Sequence, residues 1–257
     1  MGGGDNHQYV RKRIIFQHQW RSLSMITTIS KSVLLLLVCS AVAFSGSVTG
    51  KINFKGNKPA AQKIKMSSDQ KCLKLHNGKD VVSEQVVVNP NNTLRWVFVR
   101  VKKGLEGKKF PQPKNKATIN QEGCTYHPHV MGMMVNQPLE IMNSDPTMHN
   151  IHALPKNSPQ FNVGQPVKGQ KTTKTFSAVE TMVKIKCDVH SWMGAWVGVL
   201  DNPFYGVSDE SGAFTIKDLP AGDYELEAWH ETLGTQTMKV TVGASDTKTA
   251  DFTFQGK

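Results

Sequence analysis

The chain of 257 residues lacks most of the patterns that define the commoner protein classes. Beyond residue 43 no apolar run approaches the roughly 20 residues that a membrane-spanning helix needs. Amphipathic helical spacing of ordinary length is missing as well, which excludes the helix-rich folds. There is no Ser-His-Asp arrangement, no Gly-rich phosphate loop and no pair of carboxylates at a persuasive spacing. No basic stretch is interleaved with aromatics to make a nucleic-acid platform, so nucleic acid is not an expected partner. Cysteine is scarce: Cys39, Cys72, Cys124 and Cys187 are all there is, and none has another close by in sequence. That spacing disfavours a closed, multi-cysteine zinc site.

What is present begins with a targeting segment. Lys31, the apolar run from Val33 to Val38 and Ala41-Val-Ala43 supply the positive residue, short apolar core and A-x-A site of a secretory signal peptide. Residues 1–43 are read as that peptide with an extended basic leader, cleaved after Ala43. A lipid anchor on Cys39 is disfavoured by Val38 in front of it. Export to the periplasm or the extracellular space follows, and no membrane span is expected in the mature chain.

The remainder reads as strand throughout. Short alternating apolar runs are broken by Gly, Pro and Asn turns, as in Val48–Phe54, Gln85–Val88, Leu94–Val101, Val130–Val135, Leu139–Met142, Met182–Lys186 and Ala195–Leu200. An all-β fold is therefore expected.

Within it, Cys187-Asp-Val-His190-Ser-Trp-Met193 sets a thiolate, an imidazole and a thioether at the spacing C-x2-H-x2-M. A second imidazole lies upstream in Asn143-Ser-Asp145-Pro-Thr-Met-His149-Asn150-Ile-His152. Two His, one Cys and a distant Met make the donor set of a type 1 (blue) copper site. Thiolate and thioether favour Cu(I), and imidazole tolerates both oxidation states. With a single Cys in the loop, one copper ion is expected rather than a binuclear centre. Two other readings use the same residues. Structural zinc could take Cys187, His190 and two further ligands, and Cys187 could be a plain buried thiol in a sandwich core.

These residues resemble a cupredoxin, and the loop is similar to that of amicyanin-like members. The resemblance covers roughly residues 86–200. It implies a Greek-key β-sandwich with His149, Cys187 and His190 on copper and Met193 as the axial sulfur. It further implies that Asn150 braces the loop and tunes the thiolate. His152, three residues beyond His149, would face the other side of an extended segment and stand behind the ligands. The C-terminal His of such a loop is the exposed one in the family, so electron entry is expected at His190, among apolar neighbours such as Trp192 and Met193.

After Asn202-Pro203 the pattern changes to a chain of hairpin signals. Asp209-Glu-Ser-Gly212-Ala-Phe214 and Leu219-Pro-Ala-Gly222-Asp-Tyr224 are similar to the signature of the carboxypeptidase regulatory-like (transthyretin-type) β-sandwich. The match covers about fifty residues, short of a whole domain. Val48-Thr-Gly-Lys-Ile is also typical of that family's first strand. The expected division is 44–85 as an N-terminal strand and linker completing the C-terminal sandwich, 86–202 as the copper domain and 203–257 as the smaller sandwich. In related carboxypeptidases this module is non-catalytic, which implies a scaffold.

With Cys187 on copper, Cys72 and Cys124 are left as a pair, and in an oxidising compartment a pair reads as a disulfide. The rival is a second metal site built from Cys72, His76, Cys124 and His129 or His127. His230, beside Glu231, is a further candidate metal ligand. The chain is formally +11. Removing Arg11, Lys12, Arg13, Arg21, Lys31 and Asp5 with residues 1–43 leaves 26 basic and 19 acidic residues, a net +7. The excess is concentrated from Arg95 to Lys116, either a face that steers an acidic redox partner or a merely solvated one. The expected function is single-electron transport between exported redox partners, without enzymatic action on a substrate. The alternatives are copper storage or delivery, and a non-redox module that recognises carbohydrate or a surface partner through its C-terminal sandwich.

Overall fold

The computed structural model describes residues 45–256. The signal-peptide reading, its cleavage after Ala43 and the anchor position Cys39 lie outside these residues. Strands supply nearly all of the regular structure. The single helix among the described residues, Gln70–Leu75, is six residues long. No helix of the described residues is long and apolar enough to cross a membrane.

Two β-sandwiches form, each around its own core. The first faces a five-stranded sheet against a four-stranded one. The five-stranded sheet runs in the order Phe161–Gln165, His149–Leu154, Glu180–Lys186, Gly194–Leu200, Val130–Met134, with the last pair parallel. The four-stranded sheet runs Lys171–Lys174, Leu139–Asn143, Ala117–Glu122, Thr125–His127. Alternation fixes which side chains meet: Ile119, Ile141, Ile151, Val183, Ile185 and Val197 all point inward and are fully buried. Burying each such side chain is worth about 1.5–3 kcal/mol.

The second sandwich is assembled from both ends of the chain. Ser45–Lys55 pairs antiparallel with Ala213–Pro220, Val48 opposite Ile216 and Gly50 opposite Phe214. It also pairs parallel with Thr247–Thr249 and with Phe252–Gln255, Ile52 opposite Phe252. The first sandwich is thus an insertion within the second, whose strands Ser45–Lys55 and Phe98–Lys103 precede it and whose remaining strands follow it.

The boundary expected at residue 86 is corrected. Phe98–Lys103 pairs with Tyr205–Val207 and with Gly222–His230, Val99 opposite Ala228. Val97, Val99 and Val101 point into the second core, while Phe98 points to the first sandwich. The inserted sandwich therefore begins at Ala117. Periodicity identified the strand correctly but carries no information on which sheet it joins. The segment expected as a linker is also more than that. Met66 and Cys72 are buried in the first core, and Ile64 and Val81 pack against it, so residues 59–84 form a cap on the inserted sandwich.

The sandwiches meet through aromatic rings seated on paired glycines. Gly132 and Gly198 are register partners on neighbouring parallel strands. A Cβ on Gly198 would come within 2.5 Å of the Phe98 ring, and one on Gly132 within 2.3 Å of the Tyr205 ring. Phe98 and Tyr205 stack at 5.4 Å, and the Tyr205 hydroxyl donates to the Gly132 carbonyl at 2.7 Å.

Candidate metal centre

His149 opens the strand His149–Leu154, and the turn before it is held by Asn143. The Asn143 amide donates to the carbonyls of Thr147 (2.9 Å) and Gln165 (2.8 Å), and its oxygen accepts from the Asp145 N–H at 2.9 Å. Asp145, so fixed, accepts from Gly123 N–H, Cys124 N–H and His149 Nε2 at 2.8, 2.7 and 2.8 Å.

The loop from Cys187 to Met193 closes on itself: Cys187 N–H donates to the Met193 carbonyl and Met193 N–H to the His190 carbonyl. The Asn150 oxygen accepts from Asp188 N–H at 2.7 Å and lies 3.2 Å from Cys187 Sγ, tying the loop to the strand that carries His149. The Cys187 sulfur also accepts from His190 N–H at 3.3 Å.

These contacts bring His149, Cys187 and His190 together, all three buried. His149 Nδ1 and His190 Nδ1 stand 3.0 Å apart, and His190 Nδ1 is 3.9 Å from Cys187 Sγ. Each imidazole turns its other nitrogen to a carboxylate, His149 to Asp145 and His190 to Asp69 Oδ2 at 3.0 Å. A carboxylate on Nε2 fixes the proton there and frees the Nδ1 lone pair. With Nε2 of each ring protonated toward its carboxylate, the two Nδ1 atoms 3.0 Å apart can meet only through a shared proton or a shared cation. Nitrogens bound to one ion at about 2.0 Å each are separated by about this distance.

The electrostatics agree. Burial pushes the Cys187 thiol up, but hydrogen bonds from His149, His190 and the neighbouring backbone more than offset this and bring it down to about 6. Burial opposes charge on His149, yet its bonds to Asp145 and Cys187 hold its pKa above the ordinary imidazole value. His190 is raised likewise, against burial, by Cys187 and Asp69. Asp69 is lowered chiefly by its bond to His190. A pocket that holds Cys187 as thiolate and draws positive charge to the two imidazoles fits a soft divalent or monovalent metal ion.

The structure places the remaining predicted residues as follows. Met193 is buried in the same cluster as Cys187. His152 stands apart from the donor group and bonds Asp188 at 3.0 Å. Cys72 and Cys124 are joined as a disulfide, with Cα atoms 5.7 Å apart. The second metal site is not assembled. His76 bonds the Gly123 carbonyl, His129 bonds Glu231 and the Gly194 carbonyl, and His230 Nδ1 accepts from Thr232 and Leu233 N–H groups. Each is engaged separately, and none belongs to a metal-competent group among the described residues.

One expectation is overturned here. His190 is only 2% exposed, because the cap sets Asp69 and the Cys72 sulfur (3.5 Å) against its Nε2. In the basic run from Arg95 to Lys116, Arg100, Lys102 and Lys103 pair with Glu225 and Glu227, Arg95 with Glu210 and Lys116 with Glu140, while Lys108, Lys109 and Lys114 have no carboxylate partner among the described residues. Sequence reading also missed Asp145 and Asp69 as imidazole partners. Asp145 could have been found four residues before His149, whereas nothing local marks Asp69.

The carboxypeptidase regulatory-like domain family matches residues 194–255. Among solved structures the chain is similar to a copper-containing nitrite reductase from Thermus scotoductus SA-01, at 20% identity over 36% of this chain and 24% of that one, with a TM-score of 0.31. It is also similar to a purple cupredoxin from Nitrosopumilus maritimus, at 22% identity over 33% of this chain and 99% of that one, TM-score 0.29. A mutant of amicyanin in oxidised form matches at 15% identity over 39% of this chain and 97% of that one, TM-score 0.30. The chain spans about a quarter of the nitrite reductase's length. No curated protein matches it. The described residues form two β-sandwiches, one inserted into the other, and the carboxypeptidase regulatory-like match falls on the last strand of the inserted sandwich and the C-terminal strands of the other.

Proposed function

We propose that the chain is an exported type 1 copper protein that carries single electrons between redox partners. The observation that carries this reading is the His149–His190–Cys187 constellation, with both Nδ1 atoms converging and both Nε2 atoms held by carboxylates. Copper is favoured over zinc because a structural zinc site closes on four strong donors. Here three His and Cys donors converge, with Met193 in the same loop, which is the trigonal set with a weak axial sulfur. When bound, copper supplies a one-electron couple. The chain's residues keep Cys187 as thiolate, orient the two imidazoles and exclude water. Delivery of copper as cargo is disfavoured by burial, since His149, His190 and Cys187 are each 3% exposed or less. The protein acts as a carrier rather than a catalyst, and the second sandwich serves as scaffold.

The test is the visible and EPR spectrum of the mature protein after addition of Cu(II). An intense thiolate-to-copper band with narrow parallel hyperfine splitting is expected. Cys187→Ser is expected to abolish the band while leaving the far-UV circular dichroism unchanged. A Cys187→Ser protein that stays blue would sink the assignment, and a colourless parent would move the reading to zinc.

A further inference from the structure

An electron carrier needs a surface route to its metal, and the His190 edge is closed by Asp69 and the Cys72–Cys124 disulfide. The ring of His190 does meet another ring. Trp192 packs on it with centroids 5.0 Å apart, within the range of direct aromatic contact. The Trp192 indole N–H donates to the Cys124 carbonyl at 3.0 Å, which fixes the ring. Trp192 is half-buried, and it lines a cavity of about 350 Å³ whose walls include Cys187, Met193 and Trp196 on one side and the cap residues Ile64 and Val82 on the other. The metal pocket thus reaches solvent through an indole instead of an imidazole.

The same cap carries a positive excess. Between residues 59 and 84 there are five lysines against Asp69, Asp80 and Glu84. All five lysines are exposed, and only Lys63 has a carboxylate partner among the described residues. Arg100, Lys102 and Lys103 pair with Glu225 and Glu227, whereas Lys65, Lys71, Lys74 and Lys79 have no carboxylate partner among the described residues, and the cap that carries them supplies Ile64, Val82 and Glu84 to the cavity beside Trp192.

We propose that Trp192 is the point at which electrons enter and leave, and that the cap lysines dock an acidic redox protein over it. This rests on the copper reading above. One electron passes from the reduced partner to Cu(II) held by His149, Cys187 and His190, giving Cu(I). No bond forms or breaks and no proton moves, and the reverse step serves the acceptor. The lysine field steers the negative partner to the cap, and salt screens it.

The copper-loaded full chain is mixed with hexacyanoferrate(II), an anionic one-electron donor, in a stopped-flow spectrometer. Trp192→Leu is expected to slow reduction several-fold with the blue spectrum and potential unchanged, and Trp192→Phe, which keeps a ring, to fall between. The double variant Lys65→Glu, Lys71→Glu is expected to slow it about tenfold and to weaken its salt dependence. Lys239→Glu, on the second sandwich, is expected to react as the parent does. A second readout needs no copper. Hexacyanochromate(III), a paramagnetic trianion, is added to the metal-free protein, and broadening of NMR signals is expected at the Trp192 indole and the cap amides. Trp192→Leu reacting at the parent rate, or broadening centred on exposed Met148 and Val189, overturns the proposal. A parent that is never blue overturns the copper reading instead, and the broadening map then decides the docking face alone.

Discussion

Asp69 joins the cap to the metal pocket, and its two oxygens do different work. Oδ1 caps the helix Gln70–Leu75, accepting from Lys71 N–H at 2.8 Å and Cys72 N–H at 3.2 Å. Oδ2 accepts from His190 Nε2 at 3.0 Å. Replacement by Ala removes both, replacement by Asn only one. An Asn can keep its oxygen on the helix N–H groups, but its NH2 then faces the Nε2–H of His190, donor against donor. His190 relieves this by moving its proton to Nδ1, the atom needed for the metal. Loss of such an outer hydrogen bond costs about 10–100-fold in metal affinity, or about 1.4–2.7 kcal/mol. Loss of the cap costs about 1 kcal/mol of stability. We therefore expect Asp69→Asn to unfold in urea close to the parent while losing copper 10–100-fold more readily, by roughly the factor above, to a competing Cu(I) chelator. Asp69→Ala is expected to lose both stability and copper. Nitrogen-15 shifts of His190 in the metal-free protein report the tautomer directly. An Asn variant that retains the parent's copper affinity and the Nε2–H tautomer would refute the reasoning.

Two further outcomes concern stability. His230 is 2% exposed with Nδ1 accepting two backbone N–H groups, and burial pushes its pKa down to about 4. Its unfolded value is about 6.5, so between these pH values the unfolded chain binds a proton the folded one refuses, and stability falls on acidification by about 3 kcal/mol in all. Urea midpoints measured from pH 7 to 4 are expected to show this limb, and His230→Asn to flatten it; an unaltered slope contradicts the assignment. Gly198→Ala places a methyl 2.5 Å from the Phe98 ring and is expected to cost about 1–3 kcal/mol, partly recovered by Phe98→Leu. Additive losses in that double-mutant cycle would show that the two positions do not meet.

The ligand loop was legible in the sequence because its chemistry is local. Cys187, His190 and Met193 sit within seven residues, and the structure keeps Cys187 and His190 with His149. The strands were legible from alternation, but their partners were not. Val97, Val99 and Val101 read equally well as part of either sandwich, and only the pairing of Val99 with Ala228 assigns them. The closure of His190 was illegible because Asp69 arrives from far upstream, in a segment whose alternation is weak and whose Cys72 read either as the disulfide partner of Cys124 or as a metal ligand. Family likeness supplied an exposed imidazole there, and the cap removed it. His76, His129 and His230 look alike as a list of imidazoles. They part company in the fold, because each meets a nearby carbonyl, carboxylate or amide before it can meet another.

The strand Ser45–Lys55 has a mechanical consequence. Its end residues Ile52 to Lys55 run parallel to Phe252–Gln255, at the opposite terminus of the described chain. Tension applied to the two ends pulls these neighbours past one another lengthwise, so their hydrogen bonds are loaded together in shear instead of peeling one at a time. Everything between them, including the loop from Cys187 to Met193 and the cap with Asp69, lies inside the closed clasp. A force that stretches the chain is borne by the scaffold sandwich, and the metal pocket is slack until that clasp slips.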